Sequence, residues 1–220
     1  MKKHILAAIA AFGMMAGAAH ATPVNWVDWN AATPNSATGV GMAGFDTVNV
    51  TETNSVNNAF VQTAGGTYYY TGTSYTDGVG APDSAPPTSD IIALNQNGTV
   101  TINFDTTVRD VYLAIVSWNI PSATFSQDVE VINTGCGYFG CGTASAIGGT
   151  VSFSGEVHGV LKLSGDIDSF SFTHSGENWH GFTIGFAGLA TPAIPLPASG
   201  LLLVGALGGV AALRRRKTTG

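Results

Sequence analysis

The chain has 220 residues, 45% of them hydrophobic and 10% charged, with 8 Lys+Arg against 14 Asp+Glu. Lys2, Lys3, Arg214, Arg215, Arg216 and Lys217 stand at the two ends, so the body carries Arg109 and Lys162 against all 14 acids, a net charge of 2 − 14 = −12. Such a surface repels phosphate backbones and excludes nucleic acid as a partner.

At the N-terminus Lys2 and Lys3 precede an apolar run over residues 5–19. Ala19 and Ala21 then supply the small side chains that a signal peptidase needs at its −3 and −1 positions. Residues 1–21 are therefore read as a secretory signal, cleaved after Ala21. No cysteine lies near the cut, which closes the lipoprotein route. Residues 22–191 follow as one ectodomain, long enough for a single sizeable core and undivided by any charge block or low-complexity linker.

Strand signals run through this body. Residues 47–53, 59–63 and 67–71 are the first candidates. Residues 99–104 alternate cleanly, with Val100, Ile102 and Phe104 on one face, as in a half-buried antiparallel strand. Asn97-Gly98 before them is a favoured hairpin turn. Residues 111–118 (VYLAIVSW) are apolar on both parities and predict a central strand covered on both sides. Residues 129–132, 150–154, 157–163, 169–173 and 181–186 complete the set, separated by Gly, Asn, Asp and Pro. With no amphipathic helix in the body, the pattern predicts an all-β fold, a β-sandwich or jelly roll.

Cys136 and Cys141 are the only cysteines, in GCGYFGCG. In an exported chain such a pair reads as a disulfide stapling a short loop. Four intervening residues rule out a C-x-x-C redox motif, and no further soft ligand at metal-site spacing accompanies them.

Three places carry candidate chemistry. Loop 65–90 sets Tyr68, Tyr69, Tyr70 and Tyr75 beside Asp77, Asp83 and Asp90. Rings that stack on sugar C–H faces, with carboxylates that accept hydroxyl hydrogen bonds or hold a cation, make Tyr68, Tyr70, Tyr75 and Asp77 candidate ligand contacts. The competing reading is a TYYYT strand with alternate tyrosines buried. Glu177, Trp179 and His180 form the second place. Glu177 and His180 suit an acid/base pair if one pocket holds both, which would make a surface hydrolase. His180 also shares parity with Phe182, Ile184 and Phe186, which would bury it at the end of a core face. The third place is Asp166 and Asp168, with Glu156 nearby in sequence, a weak calcium pattern lacking the rest of an EF-hand loop. No G-x-S-x-G, H-E-x-x-H or Walker loop is present, and no catalytic residue is assigned.

The C-terminal stretch 194–217 reads IPLPASGLLLVGALGGVAALRRRK. Pro195 and Pro197 hold their neighbours extended, so a helix starts after them. Residues 198–213 contain no charge, and in hydrocarbon such a segment must be helical. At about 1.5 Å per residue it spans roughly 24 Å, short of a hydrocarbon core of about 30 Å unless the arginines snorkel or the bilayer thins. Arg214, Arg215, Arg216 and Lys217 place the tail in the cytoplasm and the body outside.

This order of proline signature, glycine-rich apolar helix and arginine cluster resembles the PEP-CTERM sorting signals of Gram-negative bacteria. Ile194, Pro195, Leu196, Pro197 and Ala198 are most similar to the VPLPA-CTERM variant, with Ile where that variant has Val and Leu196 where the commoner form has Glu. Residues 165–188 also resemble a recurring closing segment of such ectodomains. The resemblance implies a membrane partner, processing by an exosortase-type enzyme, and association with exopolysaccharide or biofilm. The expectation is thus an exported, non-enzymatic surface or matrix protein without a cofactor: signal 1–21, all-β ectodomain 22–191 and sorting signal 192–220. Its alternatives are a carbohydrate- or calcium-dependent binding module and a surface hydrolase.

Overall fold

The computed structural model describes residues 21–190. Ala19, the motif Ile194–Ala198, the apolar run and the basic tail lie outside the described residues. Among the described residues no helix is long and apolar enough to cross a membrane.

The described residues form an all-β fold. The strands are β1 (Asn25–Trp26), β2 (Asp28–Thr33), β3 (Ser36–Ala43), β4 (Asp46–Asn54), β5 (Phe60–Gln62), β6 (Ile91–Leu94), β7 (Gly98–Trp118), β8 (Ser122–Phe125), β9 (Glu130–Gly135), β10 (Gly142–Ile147), β11 (Thr150–Gly155), β12 (Val157–His174) and β13 (His180–Leu189). One 3-10 turn, Thr73–Tyr75, interrupts the long connection between β5 and β6.

Two of these strands organise the rest. The first part of β7 lies between β4 and the end of β12, with Val50 opposite Phe104 and Phe172 opposite Val100. Its second part lies between β13 and the start of β12, with Ile184 and Leu161 both opposite Leu113. The β7–β12 pair therefore passes from one ladder (β2-β3-β4-β7-β12-β8-β11-β10) into another (β5-β6-β13-β7-β12-β9). At the change the register slips between Leu163 and Asp166 and again between Ile167 and Ser169. Asp110 there takes φ 50, and its Oδ1 accepts the Gly165 N–H at 2.8 Å. Asp tolerates this left-handed conformation better than most residues because its short side chain bonds locally.

The main core fills the space between the ladders, an arrangement consistent with a β-sandwich. Phe172 from β12 meets Phe182 from β13 edge to face at 5.3 Å, and Phe104 meets Phe186 at 6.0 Å. The Trp29 indole N–H donates to Thr183 Oγ1 at 3.1 Å, tying β2 to β13. Residues 111–118 are covered on both faces as their composition predicts. Val111, Leu113 and Ile115 enter this core, while Tyr112, Ala114 and Val116 enter a second cluster with Tyr70, Tyr75, Ile91 and Val160. Connection 63–90 supplies Tyr70 and Tyr75 to that second cluster and so covers the outer face of β7 and β12.

Several expected elements differ. Segments 99–104 and 111–118 are one strand, as are 157–163 and 169–173, because the corner bends the ladder without ending it. Asn97-Gly98 is no hairpin turn: β6 pairs with β5 and β13, while β7 begins against β12 and β4. Residues 67–71 form no strand. Gly65 and Gly66 at φ 63 and 87 turn the chain out of the ladder, and Tyr70 anchors it by donating to the Asp90 carbonyl at 2.7 Å. The sequence pattern points to none of β1, β2, β3, β6, β8 and β10. β1 is only two residues long, and apart from IIAL in β6 the others are rich in Ala, Gly, Ser and Thr with few large apolar side chains, which gives little hydrophobic period to read.

Candidate functional site

Strict alternation along β7 would turn Ser117 inward after Val111, Leu113 and Ile115. Instead Ser117 adopts φ 57, and the pairing with β12 slips between Val157 and Gly159. This bulge sends Trp118 into the core, where its indole N–H donates to the Gly181 carbonyl at 2.8 Å. Ser117 is left facing Glu156, and its hydroxyl donates to Glu156 Oε2. Bulges commonly re-aim side chains beside functional sites, and strained backbone concentrates there.

Ser117 stands at the wall of a cleft of about 430 Å³ lined by Phe60, Tyr69, Ser117, Asn119, Phe139, Glu156, Glu177, Asn178 and Trp179. Its size falls in the range of roughly 300–1,000 Å³ typical of small-molecule pockets. Aromatic rings form one side. Tyr69 lies 5.1 Å from Trp179 and 5.8 Å from Phe139, Phe139 lies 5.0 Å from Trp179, and Phe60 stacks on Trp179 at 6.3 Å. Tyr138 extends the row beyond Phe139 at 4.9 Å. Phe60, Tyr138 and Phe139 are 40%, 49% and 48% exposed. The polar side is a short network. Asn119 Nδ2 donates to Glu156 Oε1 at 2.7 Å, and the Asn119 N–H reaches Glu177 Oε1 at 3.3 Å.

The Cys136–Cys141 disulfide is formed, and it closes the turn whose tip carries Tyr138 and Phe139. Behind that tip lies His158, fully buried. The Phe139 N–H donates to His158 Nε2 at 3.3 Å, so Nδ1 carries the ring proton and faces the Tyr75 hydroxyl at 3.2 Å. Tyr75 in turn donates to the Ile115 carbonyl at 3.1 Å. Burial holds the His158 pKa below its ordinary value, against the opposing pull of Glu156, and keeps the ring neutral.

The sequence-predicted residues divide between this cleft and its support. Trp179 and Glu177 line it. Tyr68, Tyr70, Tyr75 and Asp77 do not. Tyr70 and Tyr75 are buried, with pKa values raised by burial, and Tyr68 donates to the Pro86 carbonyl at 2.8 Å. Asp77 is exposed and outside the cleft lining. The tyrosine that belongs is Tyr69, of opposite parity to Tyr68 and Tyr70. Phe60, Phe139, Ser117 and Asn119 were also missed. The exposed YF dipeptide between two half-cystines was the one available signal.

His180 is fully buried, edge-on to Trp118 at 5.4 Å, as its shared parity with the β13 core face implies. Its Nδ1 lies 3.2 Å from Glu177 Oε1, though off the line of a formed hydrogen bond, and its Nε2 faces His174 Nδ1 at 3.1 Å. Glu177 and His180 thus meet, but the ring stands behind the wall and offers no nitrogen to the cleft. The calcium candidates do not converge: Asp166 faces Arg109 at 3.9 Å and Asp168 accepts from Thr107 at the corner, whereas Glu156 belongs to the cleft. Among the described residues no group of three or more His, Cys, Asp or Glu side chains is placed to hold a metal ion.

No protein-family model, curated protein or solved structure matches the chain. What the cleft can do therefore rests on its own chemistry. Ring faces offer apolar, polarisable surface, and the carboxylates and amides beside them accept and donate hydrogen bonds.

Proposed function

We propose that this is an exported, non-enzymatic protein of the cell surface or extracellular matrix. In this reading a signal segment ending at Ala21 directs export. An exosortase-type membrane enzyme then recognises Ile194, Pro195, Leu196, Pro197 and Ala198 and removes the tail, and the β-sandwich ectodomain joins the exopolysaccharide layer. The observation that carries the reading is the Cys136–Cys141 disulfide, since such bonds persist outside the reducing cytoplasm. The acidic body and the arginine-terminated apolar tail agree with it. Burial of His180 behind the cleft favours a binding or structural role over hydrolysis. The role requires no cofactor.

Mass spectrometry of the protein recovered from its native cells tests the proposal. The expected product begins at Thr22 and has lost Arg214–Lys217. An intact C-terminus in cells with a working sorting enzyme overturns the sorting role.

A further inference from the structure

The aromatic row joins three exposed rings, Phe60, Tyr138 and Phe139, through the half-buried Tyr69 and Trp179, and contiguous exposed apolar surface of this kind marks binding sites. Three features narrow what covers it. First, the rings form a strip running from Phe60 through Trp179 to Phe139, at 6.3 Å and then 5.0 Å between centroids. With successive planes turned by 29° and 55°, their faces suit weakly polar C–H surfaces placed in succession along a twisting chain. Second, Glu156, Glu177, Asn119 and Asn178 stand beside the strip. A purely hydrocarbon ligand would strip water from these groups and return no hydrogen bonds. Third, no Lys or Arg lines the cleft. Arg109 and Lys162, the only two among the described residues, are paired with Asp166 and Asp110. A phosphate, sulfate or uronate would meet two carboxylates with no cation to offset them.

We infer that this cleft binds a neutral polysaccharide, with two successive pyranose rings stacked on Trp179 and Phe139 and their hydroxyls donating to Glu156 and Glu177. The site is prepared before the ligand arrives. The disulfide closes the turn that carries Phe139, His158 holds that residue's backbone, and Ser117 and Asn119 fix the Glu156 carboxylate. Holding groups in their bound geometry lowers the ordering cost of association. Binding is direct and independent of metal. The inference deepens the proposed function and relies on it for where the ligand is met, whereas binding by the purified protein and tail processing in cells are separate measurements that fail separately.

The test uses the full chain in a detergent without a sugar headgroup. Calorimetric titration compares cello-, laminari- and maltohexaose with an alginate hexamer and a lysine-rich peptide, each with and without EDTA. At least one neutral hexaose binds, EDTA leaves it unchanged, and alginate does not bind. Phe139→Ala and Trp179→Ala each weaken that binding by roughly tenfold or more, as truncation of a central aromatic anchor does. Phe45→Ala, at an exposed hairpin tip outside the cleft, leaves it unchanged. Phe139 is a turn-tip side chain, so its variant remains informative if Trp179→Ala fails to fold. The inference is overturned if no neutral hexaose binds, if both cleft variants bind as the wild type does, if EDTA abolishes binding, or if alginate or the peptide is the ligand instead.

Discussion

The backbone N–H of Phe139 donates to Nε2 of His158 across 3.3 Å, and this bond ties a half-exposed ring to the buried side of the fold. It also fixes the imidazole tautomer, because Nε2 can accept only if the proton sits on Nδ1. The turn is also closed by the disulfide, by the Gly137 N–H donating to the Gly140 carbonyl at 2.8 Å and by the Ser74 hydroxyl donating to the Cys136 carbonyl at 2.8 Å, and the imidazole is the contact that reaches its tip.

Replacing His158 with Leu removes that acceptor and leaves the Phe139 N–H without its partner. We expect a loss of about 1 kcal/mol in thermal or urea unfolding, the usual net worth of one hydrogen bond, because the Phe139 N–H is only part-buried and water can replace the acceptor. Hydrogen exchange should be faster at the Phe139 amide. Unchanged protection there would show that the turn does not depend on the imidazole.

Glu52 is fully buried on β4, where Asn58 donates to its Oε2 at 3.1 Å and its Oε1 has no partner. Burial raises its pKa from 4.5 to about 7. The folded state then binds this proton more tightly than the unfolded chain. Its stabilising contribution is complete below about pH 4.5 and is lost as pH rises to 7. Glu52→Gln should therefore be more stable than wild type at pH 8, by on the order of 3 kcal/mol, and nearly equal to it at pH 4. Urea titrations at the two pH values check the sign.

His174 works in the opposite direction. Burial and the neighbouring His180 charge lower its pKa from 6.5 to about 4, and its Nε2 has no partner. Here the unfolded chain binds the proton more tightly, so stability is lost as pH falls from 6.5 towards 4. The two windows overlap, and the slopes of Glu52 and His174 oppose each other there. Glu52→Gln should expose a decline on acidification that the wild type masks, while His174→Gln should expose a decline on alkalinisation. Parallel pH profiles for wild type and both variants would refute this.

Gly159 sits where β12 is squeezed between β7 and β9. It has φ 154, and an added Cβ would fall 2.1 Å from the Asn133 carbonyl oxygen. Backbone cannot yield as a side chain end can, so Gly159→Ala should cost more than about 2 kcal/mol and loosen β9 from β12. Its unfolding midpoint, compared with that of Gly44→Ala at an open turn with nothing within 4 Å of the added atom, separates crowding from general glycine effects.

The sequence alone was enough for the all-β class, for one disulfide, and for a strand at 111–118 covered on both sides. Each follows from local information: period-2 alternation, residue type, and the spacing of two cysteines. The same locality explains the errors. An alternating run and a continuously apolar run separated by a polar interval look like two strands whether the ladder stops or merely bends, and the bend at Asp110 keeps them one strand. Tyr68, Tyr69 and Tyr70 are chemically equivalent in the chain. Only the packing of connection 63–90 over Tyr112 and Val116 decided that Tyr70 is core and Tyr69 is cleft. His180 obeys its parity, while its partner Glu177, in the turn just before β13, lines the cleft with most of its side chain covered. The cleft draws Phe60, Tyr69, Ser117, Phe139, Glu156 and Trp179 from six separate places in the chain, and no spacing in the sequence encodes their meeting. Secondary structure is written in neighbours; a binding surface depends on long-range packing, which tertiary structure alone decides.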